Sequence, residues 1–168
     1  MVLELFISKY AQIVMKPKLY VCLDSIRSAY NVGSVFRTCD SAKVDILFLT
    51  GWTACPPNEK LEKTALGSDS IHWEHHCEVV PLVSLLKSQQ VKIVAMEADV
   101  TAKSIFEADF TCDTCLFFGN EVTGVSQTVL KECDEVLQIP HFGNKDSLNI
   151  AVAAGIAIYE FRRKLLQK

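Results

Sequence analysis

Three stretches of the chain gather glycine and uncharged polar side chains beside apolar runs, the composition from which a neutral ligand or a reacting hydroxyl can be held. The first, from Asp24 to Thr38, reads D-S-I-R-S-A-Y-N-V-G-S-V-F-R-T. Asn31 stands where it can cap a helix, and Arg37 follows Val35 and Phe36 on an otherwise apolar helical pattern. A guanidinium there needs a partner, because burying it unpaired is expensive. It is either one half of a structural ion pair or a site arginine facing an anion or a reacting oxygen. The second stretch, Phe117 to Ser126, reads F-F-G-N-E-V-T-G-V-S and carries Gly119, Asn120, Glu121 and Gly124 where an apolar run gives way to a polar turn. The third, Ile139 to Asn149, reads I-P-H-F-G-N-K-D-S-L-N and carries Gly143, Lys145, Ser147, Leu148 and Asn149. Glycine lets backbone amides and carbonyls approach a ligand closely, which is enough to read a neutral purine without charged side chains.

Other chemistries lack their residues. The chain has no G-x-G-x-x-G after its first apolar run, no G-x-x-x-x-G-K-[ST], no G-x-S-x-G and no histidine pair at helical metal spacing. His72, His75 and His76 lie with Trp73 in a polar stretch and read as surface rather than as ligands. The seven cysteines are odd in number and scattered; Cys112 and Cys115 form a C-x-x-C with no second pair to complete a zinc site. Packing is the reading for them, and no metal is expected. A net charge of −3 counts against coating long duplexes by charge alone, while leaving room for a local basic patch.

The elements that must position these stretches follow from periodicity. Apolar runs at 19–23, 46–49, 92–96, 115–118 and 135–139 read as buried strands. Helical patterns at 31–39, 58–66, 81–89, 126–133 and 148–166 alternate with them. Such alternation predicts an α/β fold, an open and mainly parallel sheet with helices on both faces, in one domain over residues 1–168. Residues 1–15 read as a short amphipathic segment. The last helix, I-A-V-A-A-G-I-A-I from Ile150, is apolar on every side and so is expected to be buried all round, with a second subunit covering what its own chain leaves open. No apolar run is long enough to cross a bilayer, and the opening Met1-Val2-Leu3-Glu4 lacks a basic leader, so a cytoplasmic location without membrane attachment is expected.

Taken together, N-V-G-S-V-F-R-T, F-F-G-N-E-V-T-G-V-S and I-P-H-F-G-N-K-D-S-L-N-I-A-V-A-A-G-I resemble the SpoU (TrmH-like) class of SPOUT RNA methyltransferases, in order and with the expected spacing to the carboxyl terminus. Thr64-Ala65-Leu66-Gly67 followed by Trp73 is similar to the family's middle region. The resemblance covers roughly residues 18 to 163. Val122 and Ala151 stand where the family often has glycine and serine, and His141 where it often has methionine. These departures bear on the finer shape of the cofactor pocket, not on the reaction.

The resemblance implies a C-terminal segment threaded into a deep trefoil knot, a feature that periodicity alone could not suggest. It implies S-adenosylmethionine as methyl donor, S-adenosylhomocysteine as product, and transfer to a ribose 2′-hydroxyl in tRNA or rRNA. The cofactor would lie against Met96, Glu97, Gly119, Asn120, Gly124, Ile139, Gly143 and Leu148. Catalysis would fall to Asn31, Arg37, Glu121, Ser147 and Asn149, and RNA contact to Arg27, Arg37 and Lys145, with Arg162 and Arg163 as further candidates. It also implies a homodimer whose sites borrow residues from the partner. The alternative is a catalytically silent, knotted RNA-binding or assembly module, which would be expected to have lost Arg37, Asn120, Glu121 or Asn149.

Overall fold

The computed structural model describes residues 17–99 and 101–167, so the amphipathic segment expected at 1–15 lies outside the described residues. The first strand, β1 (Leu19–Asp24), is buried along its whole length. Its residues divide between two cores. Leu19, Val21 and Leu23 enter one cluster, and Tyr20 and Cys22 enter the other. A strand buried on both faces belongs inside a parallel sheet covered by helices on either side, and that is the arrangement found. Seven strands lie in the order β3-β2-β1-β6-β4-β7-β5, and every neighbouring pair is parallel.

The others are β2 (Ile46–Thr50), β3 (Trp73–His76), β4 (Lys92–Met96), β5 (Lys103–Ser104), β6 (Thr114–Phe118) and β7 (Glu135–Gln138). β3 and β5 are strands that periodicity did not predict. β3 consists of W-E-H-H at one edge of the sheet, and β5 is two residues long at the other. Neither presents an apolar run, because an edge strand is covered less fully than a central one.

The helices are α1 (Ala29–Ser41), α2 (Glu59–Ala65), α3 (Val79–Ser88), α4 (Gln127–Glu132) and α5 (Ile150–Leu166). One core takes side chains from α1, α2 and α5; the other takes them from α3 and α4. α1 begins earlier than its apolar pattern suggests. Ser28, not Asn31, is the cap, its hydroxyl accepting from the Asn31 amide at 3.3 Å. Asn31 lies inside the first turn, which frees its side chain for another use.

α5, expected to be buried all round with the help of a second subunit, is only partly buried by its own chain. Ile150, Ala154, Ala157, Ile158 and Phe161 are buried against the sheet, but Val152 and Tyr159 are 50% and 52% exposed. Among the described residues the helix is covered on one side only. Val152, Gly155, Ile156 and Tyr159 recur at i, i+3, i+4 and i+7, a stripe ~100° wide on the uncovered side.

From β1 the chain builds outward through β2 and β3, whereas β6, β4, β7 and β5 lie on the other side of β1. The carboxyl ends of β1, β4, β6 and β7 therefore open together near the point where strand order reverses, the usual ligand-binding edge of an open α/β sheet.

Candidate active site

The loop leaving β6 is fixed by its own asparagine. Asn120 is buried; its Oδ1 accepts from the amides of Val122 (2.9 Å) and Thr123 (3.2 Å), and its Nδ2 donates to the Ser25 carbonyl at 2.8 Å. The Gly124 amide closes the turn on the Asn120 carbonyl at 2.9 Å. Two glycines make this possible. A Cβ on Gly119 would lie 2.2 Å from the carbonyl carbon and oxygen of Gly124, and Gly124 itself has φ +72°, in the left-handed region. From β4, the Glu97 carboxylate accepts from the Val125 amide at 2.7 Å and packs against Gly124. Glu97 thus braces the loop.

That loop presents Glu121 to the start of α1. Its carboxylate accepts from the amides of Arg27 (2.8 Å) and Ser28 (3.2 Å) and from Asn31 Nδ2 (3.2 Å). Partial burial pushes the carboxyl pKa up, but these donors outweigh it and hold the group below the usual glutamate range. Asn31 Oδ1 in turn accepts from Asn149 Nδ2 at 3.2 Å, while Asn149 Oδ1 caps α5 through the Ala151 amide at 2.9 Å. The three sequence stretches meet in one directed chain of hydrogen bonds, Asn149 to Asn31 to Glu121, ending on an ionised carboxylate.

The chain borders a cavity of about 490 Å³ lined by Met96, Glu97, Gly119, Asn120, Glu121, Gly124, Ile139, Ser147, Leu148 and Asn149, all marked from sequence, and also by Ala98, Phe118, Val122, His141, Ile150 and Ala153. The size and the mixed lining suit a ligand the size of a nucleoside with a short tail. Gly143 is not in this wall; it is exposed in the loop between β7 and α5.

Arg37 does not join this cluster within its own chain. Six residues beyond Asn31, it lies about 9 Å further along α1 and about 120° around it. It is exposed and makes no hydrogen bond or ion pair with another described residue. It opens onto a second cavity of about 460 Å³, shared with Ser34, Thr38, Ser41, Lys63, Thr64, Leu66 and Tyr159. Lys63 and Tyr159 come from α2 and α5, so no local pattern in the sequence could have associated them with Arg37.

Arg27 and Lys145 are exposed. Arg162 and Arg163 are committed elsewhere. Arg162 donates from Nε to the Ala42 carbonyl at 2.8 Å and from its terminal nitrogen to the Lys43 carbonyl, closing the end of α1. Arg163 forms a two-pronged pair with buried Glu160, both contacts at 2.7 Å. Both hold this fold together within the chain. Among the described residues no group of histidines, cysteines and carboxylates could hold a metal ion, and no helix is long and apolar enough to cross a membrane.

Comparison with known proteins places this geometry in a family. The tRNA (guanosine(18)-2'-O)-methyltransferase of Escherichia coli (strain K12) is 31% identical over 153 residues, which are 89% of this chain and 65% of the relative. The enzyme of the same description from Aquifex aeolicus (strain VF5) is 31% identical over 173 residues, covering all of this chain and 81% of the relative. The SpoU methyltransferase AviRb from Streptomyces viridochromogenes, solved in complex with AdoMet, superposes with a TM-score of 0.82 at 27% identity, over 90% of this chain and 59% of that one. This chain therefore spans less than two thirds of the length of the Escherichia coli and Streptomyces proteins. The model of the SpoU rRNA Methylase family matches residues 18–159, most of the chain, and the protein belongs to that family.

Proposed function

We propose that the chain is an S-adenosylmethionine-dependent methyltransferase acting on a ribose 2′-hydroxyl of tRNA or rRNA, as a cytoplasmic homodimer, with its C-terminal segment threaded as a knot and residues 1–168 forming one domain. The observation that carries the reading is the Asn149–Asn31–Glu121 chain bordering the 490 Å³ cavity at the carboxyl ends of the strands. Hydrogen-bonding side chains are fixed there at the mouth of a space sized for a nucleoside cofactor.

When bound, S-adenosylmethionine supplies a sulfonium-activated methyl group. Met96, Gly119, Ile139 and Leu148 would hold it, their backbone and apolar surfaces lining the cavity. What remains for the protein is to hold a poor nucleophile in place and to stabilise the charge left as its proton departs. Asn31 and Glu121 orient the ribose, and Ser147 and Asn149 line the entrance to α5. Arg37 acts on the hydroxyl. A guanidinium holds its proton too tightly to serve readily as a base, so electrostatic stabilisation of the developing oxyanion is the physically easier role.

The homodimer reading is supported by two facts. The apolar stripe on α5 is uncovered, and Tyr159 of that stripe shares a cavity wall with Arg37. A second copy seated on the stripe brings the Arg37 of one chain toward the pocket of the other.

The test is direct. Purified protein is incubated with S-adenosylmethionine and with unmodified tRNA or rRNA, and the RNA is digested to nucleosides for mass spectrometry. A 2′-O-methylated nucleoside is expected. A base-methylated product would overturn the ribose assignment, and RNA binding without any transfer would favour the silent binding module.

A further inference from the structure

One group in the wall of the cavity has no role in what precedes. His141 lies two residues after Ile139 and lines the same space. Its Nε2 is buried with no hydrogen-bond partner, the only side-chain nitrogen or oxygen in that condition among the described residues. A buried imidazole nitrogen left unpaired is unfavourable, and folded proteins keep few such orphans. Nothing local holds the ring in another arrangement. From Pro140 to Leu148 no residue hydrogen-bonds another described residue. Among the described residues no hydrogen bond fixes the His141 side-chain torsions, which leaves the ring to choose among rotamers.

We infer that His141 recognises the cofactor, hydrogen-bonding the nucleoside portion of S-adenosylmethionine. This rests on the methyltransferase reading above. The nucleoside is favoured over the amino-acid tail by the surroundings. Ile139, Leu148, Ile150 and Ala153 give the cavity apolar surface against which a flat ring lies. An imidazole that donates at one nitrogen and accepts at the other matches the uncharged edge of an adenosine. His141 is therefore a specificity residue for cofactor binding, not a participant in methyl transfer.

The test uses two ligands and two variants. Calorimetry compares wild type, His141→Met and His141→Phe for binding of S-adenosylhomocysteine and of 5′-methylthioadenosine, which lacks the amino-acid tail. Loss of one hydrogen bond at a buried site predicts binding weaker by roughly tenfold, by the same factor for both ligands and in both variants. In ¹⁵N spectra of histidine-labelled protein, the His141 ring should settle into one tautomer when S-adenosylhomocysteine is added. Affinities within twofold of wild type would overturn the inference, as would a penalty seen only with S-adenosylhomocysteine, which would place His141 on the tail. Failure of wild-type protein to bind S-adenosylhomocysteine at all would instead remove the methyltransferase reading on which the inference stands.

Discussion

The two loops that flank the cavity are built in opposite ways. From Gly119 to Val125 nearly every polar group is engaged: Asn120 ties the turn to Ser25, Glu97 braces it from β4, and Glu121 is held by three donors. From Pro140 to Leu148 the chain makes no hydrogen bond to a described residue, Phe142 is 95% exposed, and the one buried polar atom of His141 is unpaired. One wall is complete before any ligand arrives; the other acquires its contacts from the ligand. Arg37, exposed and without a described partner, belongs with the second wall. Groups that are already paired hold the frame, and groups that are unpaired are left open to a ligand.

Substitutions should separate the two kinds. The largest effect is expected at Arg37. Arg37→Ala should lower single-turnover methyl transfer by about 10²–10³ while leaving the melting temperature and S-adenosylhomocysteine affinity near wild type. Arg37→Lys should not restore the rate, because a point charge does not reproduce the planar fork. Near wild-type turnover in Arg37→Ala would take the residue out of the reaction.

Val152→Lys tests how Arg37 reaches a reacting site. The position is half exposed in one chain, so the fold should stand. An unpaired charge in an interface is costly, so light scattering should show monomers at micromolar concentration. Methyl transfer should fall with dimer content, while calorimetry should still find cofactor affinity. A stable dimer in this variant would place the interface elsewhere.

Gly119→Ala should act through the frame. Its Cβ would meet the Gly124 carbonyl at 2.2 Å and the Val125 amide nitrogen at 2.3 Å. The loop must move, at a cost of about 1–3 kcal/mol in stability and with weaker cofactor binding, read by thermal melts and calorimetry. A variant that melts like wild type would mean this wall is less fixed than its hydrogen bonds imply.

Glu121 gives a smaller, pH-dependent effect. Its pKa is held below the ordinary value, so its contribution to stability is present above the unfolded value and is lost as pH falls through the folded one. The gap in melting temperature between wild type and Glu121→Gln should be steady near neutrality and close from about pH 4.3 downward. A gap that widened on acidification would contradict the assignment of those donors. The smallest signal is expected from hydrogen exchange. Amides at 141–148 should exchange faster than those at 120–125 in free protein and slow when S-adenosylhomocysteine binds, with little change at 120–125.

Much of the frame was legible in the sequence because it is written in local signals. The run Leu19–Leu23 and the sharp change at Phe118-Gly119 reveal strands and a strand end without any knowledge of their neighbours. The motif stretches carry the residues that meet at the cavity, and Asn31, Glu121 and Asn149 do meet. What was illegible depends on contact between distant segments. Nothing local in W-E-H-H indicates an edge strand. Arg162 and Arg163 read as candidates for RNA contact, and their structural partners come into view only when α5 lies beside α1 and Glu160 is seen to be buried. His141 could be noticed as a departure from the family, but its unpaired nitrogen is visible only in three dimensions.

The Arg162 clamp has a mechanical consequence. α1 and α5 are fastened to each other twice, at Asn31 with Asn149 and again at Ala42 with Arg162. The spacing between the fasteners is about 17 Å along α1 and about 20 Å along α5, so the two helices run side by side as a doubly pinned strut. One face of that strut carries the exposed Val152 and Tyr159; one end of it carries the cap that points Asn149 at the catalytic chain. No break in α5 separates that face from that end. In the proposed homodimer, pairing on the face would therefore also set the angle at which each site presents its amides, so assembly would act as an adjustment screw rather than only as the source of an additional residue.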